Sequence, residues 1–184
     1  MEAEVVNIHD ELVKSCLQGD QDAYYRLYAL YSRSMYNVGY RIVQDQEEAE
    51  DVLQEAFISA FRNLSAYRGD STFGAWLKRI VINKAINALK QKRNVPLEGK
   101  QVESMEDRVW ELDELAGYPF TVEKVKKAMA LLPDGYRTVF SLYLLEGYDH
   151  QEIADILGIT ESTSKSQFNR SKKKLKEILE GGQI

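Results

Sequence analysis

The residues best equipped for chemistry lie near the end of the chain, where Lys165, Ser166, Asn169 and Arg170 follow one another at helical spacing. Ammonium, hydroxyl, amide and guanidinium groups on one stretch of helix are the groups that meet base edges and phosphates in a DNA groove. Lys172, Lys173 and Lys174 can neutralise the flanking phosphates. A second set, Arg79, Asn83, Asn87 and Lys90, recurs at steps of four, four and three. It forms a stripe of cations and amides rather than the Glu/Lys mixture of a merely soluble helix face. Catalytic sets are missing. The chain has two histidines, His9 and His150, no Gly-rich phosphate loop, no metal-spaced Cys/His group and no Ser/His/Asp order. His150 reads as a surface or capping residue beside a helix start. The carboxylates around Asp51 sit on an open helix face, which suits docking better than acid–base work. The expectation is a binding protein and not an enzyme, with no cofactor, no metal and no small-molecule substrate.

Charge distribution sharpens this. The net charge of −5 argues against nucleic acid until the charges are placed along the chain. From Asp45 to Phe61 there are six acids and no base. From Arg62 to Arg93 there are eight bases against Asp70 alone, and from Lys165 to Lys176 six bases and no acid. Two basic blocks set apart by acidic ones indicate two nucleic-acid contacts and at least one further partner; each block alone reads equally well as a solvated helix face.

The elements that must carry these groups are helices. Only 3 prolines and 11 glycines are present, too few for a β-protein needing a turn after every short strand. Residues 22–43 carry Tyr24, Leu27, Tyr28, Tyr31, Met35, Val38 and Ile42 at helical spacing. The tyrosines there read as core and core edge rather than as a stacking platform for bases. A second apolar stripe runs through Ala49, Val52, Leu53, Ala56, Phe57, Ala60, Phe61 and Leu64, with Asp45 as N-cap and Glu48 placed to complete a capping box. A loop follows at 65–71. Ser71 or Thr72 can cap a helix that turns Phe73, Trp76, Leu77, Ile80, Val81 and Leu89 inward. Residues 95–118 lose the period and carry seven acids, which predicts a linker with a short helix near 105–115. A second helical unit begins near Thr121. Pro133 interrupts it, Asp134 is placed to cap the next helix, and that helix ends at Gly147. Asp149 and Glu152 form another capping box, and Gly158 follows the short helix they start.

The run DHQEIADILGITESTSKSQFNRSKKKLKEIL then has the helix-turn-helix layout. Ile153, Ala154 and Leu157 face inward, Gly158 supplies a turn needing positive φ, and a basic second helix follows with Phe168, Ser171, Leu175 and Ile178 inward. The fold expected is all-α: two small helical domains joined by a linker, the C-terminal one containing the helix-turn-helix.

Two stretches carry a family resemblance. DQEEAEDVLQEAFISAFRNLSAYRGDSTFGAWLKRIVINKA resembles the second conserved region of bacterial sigma factors, and ALLPDGYRTVFSLYLLEGYDHQEIADILGITESTSKS resembles their fourth. The order and spacing are those of the extracytoplasmic-function (ECF) class, and the resemblance covers residues 10–180. It implies region 2 over 1–95, an acidic linker over 96–120 and region 4 over 121–184. It implies docking on RNA polymerase through Asp51, Gln54, Glu55 and Ile58, the last an apolar residue among acids as at an interface hot spot. It implies melting and single-strand recognition of the −10 element through Arg68, Ser71, Thr72, Trp76, Lys78, Arg79, Asn83 and Asn87. For Trp76, spacing with Phe73 and Ile80 says core, and the resemblance says base-holding wall. It implies duplex recognition of the −35 element through Ser162, Thr163, Lys165, Ser166, Asn169, Arg170 and Lys173.

Two positions depart from the family pattern. Ser164 stands where Val is common, which would loosen packing behind the recognition helix, and Gln167 stands where Arg is common, which would remove a phosphate contact. The partners implied are core RNA polymerase, promoter DNA and an anti-sigma factor. The rival reading is a helix-turn-helix regulator binding operator DNA directly, which needs a sensing domain in the first hundred residues. The acidic N-terminus lacks signal-peptide layout, no apolar run approaches the roughly 20 residues that span a bilayer, and the single Cys16 fits a reducing compartment. A cytoplasmic location without membrane insertion is expected.

Overall fold

The computed structural model describes residues 8–93 and 121–181. All regular elements among them are helical, as the periodicity predicts. The chain divides into two compact units, Met1–Lys92 and Arg93–Ile184. The acidic segment and its expected short helix fall outside the described residues.

The N-terminal unit contains α1 (Ile8–Leu17), α2 (Gln21–Val43), α3 (Gln46–Arg62), a single 3-10 turn (Leu64–Ala66) and α4 (Phe73–Arg93). The sequence reading had no counterpart for α1, whose ten residues are too short for a strong periodic signal. Helix α2 starts where the Asp20 carboxylate accepts the amides of Asp22 and Ala23. It ends at Gln44, which takes a left-handed conformation (φ 57°). The next residue, Asp45, already caps α3 by accepting the Glu48 amide at 3.1 Å. A two-residue link therefore reverses the chain and lays α3 against α2. The reciprocal half of the expected capping box is replaced: the Glu48 carboxylate instead meets Lys92 at the end of α4, 2.5 Å away. A full charge in reach outcompetes one backbone amide.

Leu27, Ile42, Ala49, Ala56, Leu64, Phe73, Leu77, Val81 and Ile82 are almost wholly buried in this unit. Each of these side chains other than the alanines contributes about 1.5–3 kcal/mol through removal from water. Gly39 of α2 lies against Val52 of α3 and Val81 of α4, so the three helices meet there. Trp76 and Ile80, expected inward, are only half-buried.

The C-terminal unit contains α5 (Val122–Ala130), α6 (Asp134–Leu144), α7 (His150–Leu157) and α8 (Glu161–Glu180). Helix α8 is the hub, packing on α5, α6 and α7. Thr121 caps α5 and Thr160 caps α8. The Asp149/Glu152 capping box is present in both directions, at 2.8 and 2.9 Å. Asp134 departs from its expected role. It is the first residue of α6, Pro133 occupies the cap position, and no side chain caps that end. Asp134 is instead buried against Arg137, with Nη2 to Oδ1 at 2.5 Å, while Arg137 Nη1 donates to the Leu132 carbonyl at 2.8 Å. The guanidinium thus ties the Pro133 turn to α6. That helix ends at Leu144 rather than at Gly147, which lies in the following turn with φ +79°.

Candidate nucleic-acid interface

Two separate surfaces and one acidic face arise from these elements. In the N-terminal unit, Thr72 caps α4 by accepting the Ala75 amide at 3.2 Å. The buried flank of α4 (Phe73, Leu77, Val81, Ala85, Leu89) fixes its rotation and leaves Arg79, Asn83, Asn87 and Lys90 exposed along the other side. The expected polar stripe therefore faces solvent. Arg68, Ser71 and Thr72 are exposed in the loop before it, and Lys78 is half-buried. Trp76 sits between the two roles weighed for it. Its ring packs on Phe73 (centroids 5.7 Å) and Tyr67 (5.4 Å), yet it keeps part of its surface open. The loop is shaped by its own contacts, since the Tyr67 hydroxyl donates to the Ser71 carbonyl at 2.7 Å. Burial raises the Tyr67 phenol above its usual pKa, with a further push from Asp10.

In the C-terminal unit, α7 and α8 form the helix-turn-helix. Gly158 ends α7 with φ +71°, a conformation that costs other residues roughly 1 kcal/mol or more. Ile153, Ala154 and Leu157 of α7 and Phe168, Ser171, Leu175 and Ile178 of α8 are buried, as the spacing predicts. Ser162, Lys165 and Lys173 are exposed, and Thr163, Ser166, Asn169 and Arg170 half-buried. Lys165 pairs with Glu161 one turn earlier at 2.8 Å, and the Lys172 ammonium lies 4.8 Å from the Phe168 ring centre.

The two departures from the family pattern take different forms from those expected. Gln167 is buried on the α6 side, its Oε1 close to Gly135, so the position does not face a phosphate at all. Ser164 is fully buried, and instead of leaving slack it bonds to the His150 Nδ1 at 2.9 Å. His150 is correspondingly not a surface or capping residue. Its ring stacks on Tyr143 (4.5 Å, 16° between planes) and meets the edge of Phe168 at 5.6 Å. Burial foremost, then Lys165, lowers its pKa. Sequence reasoning missed this bridge between α6, α7 and α8, because its partners Tyr143, Ser164 and Phe168 are scattered over 26 residues; the signal available was Ser164 itself, a hydroxyl at an inward position.

On α3, Asp51, Gln54, Glu55 and Ile58 are all exposed, and Ile58 leaves 50% of its surface open. Glu55 meets Lys84 of α4 at 3.1 Å. No helix among the described residues is long and apolar enough to cross a membrane.

Comparison with known proteins fits this geometry. The Sigma-70 region 2 family profile matches residues 27–95, and the Sigma-70 region 4 profile matches residues 123–175. The chain is 32% identical to the RNA polymerase sigma-H factor of Pseudomonas aeruginosa, over 92% of this chain and 93% of that protein. It is 32% identical to the ECF RNA polymerase sigma-E factor of Escherichia coli K12 (88% of each), and 29% identical to the ECF factor SigW of Bacillus subtilis (91% and 94%). Among solved structures it is similar to CnrH in complex with the cytosolic domain of CnrY, with a TM-score of 0.56 at 22% identity, covering 96% of this chain and 99% of that one. The sigma factor RpoE of Bartonella quintana, solved with the anti-sigma factor NepR, gives 0.57 at 21%, covering 85% and 96%. These two show the fold. The region 2 match occupies the segment where a direct operator binder would need its sensing domain. The chain therefore belongs to the ECF class of RNA polymerase sigma factors, with a region 2 and a region 4.

Proposed function

We propose that this chain directs core RNA polymerase to promoter DNA from the cytoplasm, acting by binding rather than by catalysis. Residues 1–95 form the unit that docks on polymerase and opens the −10 element, 96–120 the connection, and 121–184 the unit that reads the −35 element. The observation that carries this is the pairing, in one family member, of an exposed amide-and-cation stripe on α4 with an exposed basic helix in a helix-turn-helix. Arg68, Lys78 and Arg79 would follow the backbone of a separated strand. Ser71, Thr72, Asn83 and Asn87 would supply hydrogen bonds to base edges, and the open part of Trp76 a face for stacking. Ser162, Thr163, Lys165, Ser166, Asn169, Arg170 and Lys173 would lie toward the major groove.

The exposed face Asp51, Gln54, Glu55 and Ile58 explains why a DNA-binding chain keeps a net charge of −5. It would dock on polymerase, away from phosphates that it would repel. The Glu55–Lys84 pair is solvent-exposed, worth about 0–1 kcal/mol, and easily exchanged for a partner's cation. An anti-sigma factor, the kind of partner seen with the similar RpoE, would silence the chain by covering these surfaces.

Run-off transcription with core polymerase over a promoter library tests the reading. Start-site selection is expected, with weaker polymerase binding in Asp51→Arg and Gln54→Ala and weaker promoter use in Asn83→Ala. If the purified chain confers no start-site selection on core enzyme without an inhibitor present, the reading is wrong.

A further inference from the structure

Helix α1 precedes the segment matched by the region 2 profile, which begins at residue 27. It nevertheless touches the elements that lead into the proposed strand-opening loop. The α1 helix packs against α2 and against the 3-10 turn at Leu64–Ala66. His9 Nδ1 lies 2.7 Å from the Tyr31 hydroxyl, and the two rings contact each other at 5.5 Å. Tyr31 in turn meets Phe73 edge-on, with centroids 5.4 Å apart. Gly74 approaches the same ring so closely that a Cβ there would stand 2.8 Å from Tyr31 Cε1. Phe73 then carries the contact to Tyr67 (5.8 Å) and Trp76 (5.7 Å), the aromatic residues at the two ends of the loop.

We infer that α1 is a positioning element for strand opening: the His9–Tyr31 hydrogen bond fixes the Tyr31 ring against Phe73 and Gly74, and so sets where the loop and Trp76 are presented. The inference rests on the assignment of that loop and of α4 to single-strand binding. Its physical logic is preorganisation. A loop held by aromatic packing from below loses less freedom on capturing a strand than one that must be ordered by the strand itself. Glycine at position 74 is what permits the approach, since any side chain would push Tyr31 away from α4. The Tyr31 phenol has its pKa raised, by burial first and then by Tyr67 and Asp10. The protonated hydroxyl can donate the hydrogen bond to Nδ1 in the His9 tautomer in which that nitrogen accepts.

The test uses the full chain with core polymerase. Opening is followed by permanganate reactivity of −10 thymines on duplex promoter, and separately on a template carrying a pre-melted bubble. Tyr31→Phe removes one oxygen and keeps the ring packing, so it tests the hydrogen bond without truncating a side chain of α1. Both variants are expected to slow opening of duplex by about fivefold, the scale of one lost hydrogen bond, while polymerase affinity and use of the bubble template stay unchanged. His9→Asn, whose amide reaches the place of Nδ1, is expected to restore opening. Unchanged opening in Tyr31→Phe and His9→Ala would overturn the inference, as would an equal loss on duplex and bubble. The double variant Arg79→Ala/Asn83→Ala separates the two levels. If it leaves opening intact, the strand-binding assignment itself fails; if it abolishes opening while Tyr31→Phe does not slow it, only the α1 brace fails.

Discussion

The two units bury different chemistry. Every buried polar or charged residue among the described residues belongs to the C-terminal unit, among them Asp134, Arg137, Thr138, Ser141, Ser164 and Gln167. The buried residues of the N-terminal unit are apolar, and its aromatics meet edge-on at the core edge, Tyr24 with Phe61 and Tyr28 with Phe57. An apolar core stabilises by area and tolerates exchange of one aliphatic residue for another of similar volume. A polar seam adds less stability, because each group must be desolvated, but it restricts how the helices can sit. In the C-terminal unit that seam runs between α6 and α8, and α8 carries the residues proposed to read duplex DNA. The N-terminal unit's proposed contacts lie on an exposed stripe and a loop, where a rigid apolar body underneath is sufficient.

The largest test of this contrast is Asp134→Ala. It takes the Asp134 counter-charge away from the buried Arg137 guanidinium, a change expected to cost about 3–5 kcal/mol. Amide hydrogen exchange on the full chain resolves the two units. Protection should fall across α6–α8 and stay unchanged in α2–α4. A loss below about 1 kcal/mol, the scale of an exposed pair, would show that the seam does not hold the C-terminal unit.

A smaller change runs in the opposite direction. Thr138 is wholly buried and its hydroxyl oxygen has no hydrogen-bond partner. Thr138→Val keeps the shape and removes the desolvated group, so the C-terminal unit should gain about 1 kcal/mol. The same measurement checks it. Destabilisation would mean the hydroxyl is satisfied, and the seam more complete than its geometry indicates.

The helices, their apolar faces and the Gly158 turn were legible because each follows from local spacing: Leu27, Met35, Val38 and Ile42 repeat with the helix, and Asp149 and Glu152 stand three apart. The errors cluster where a charged side chain or burial outcompetes the backbone partner that spacing suggests. Asp134 has the residue type and place of an N-cap, yet a guanidinium three residues on claims it. Glu48 has the place of a capping-box acid, yet Lys92, 44 residues away, claims it. Gln167 lies on the basic helix, but its rotation is set by burial of Phe168 and Ser171, which turns it inward. The polar stripe on α4 was readable because nothing in the fold competes for its groups; the roles of the two histidines were not, since Tyr31 and Ser164 are distant in sequence.

The smallest expected effect concerns His150, and it asks whether the polar contacts around α7 and α8 respond to pH separately from the apolar core of α2–α4. Its ring lies between Tyr143, Phe168 and the Ser164 hydroxyl, with Lys165 and Lys172 opposing its protonation and Glu161 and Asp149 favouring it. The net effect, led by burial, lowers its folded-state pKa. The folded chain then binds fewer protons than the unfolded chain near the ordinary histidine pKa of about 6.5, so stability rises with pH through that range. The contribution is complete above about 6.5 and is lost as pH falls below it toward the folded value. Measured between pH 7.5 and 5.5, above the range in which carboxylates titrate, hydrogen-exchange protection of α7 and α8 (corrected for intrinsic exchange) should decline more steeply in the native chain than in His150→Gln. Protection of α2–α4 should change alike in both. A His150 imidazole that titrates by NMR at or above the ordinary value would reverse the sign and remove the bridge from the list of features that set α8.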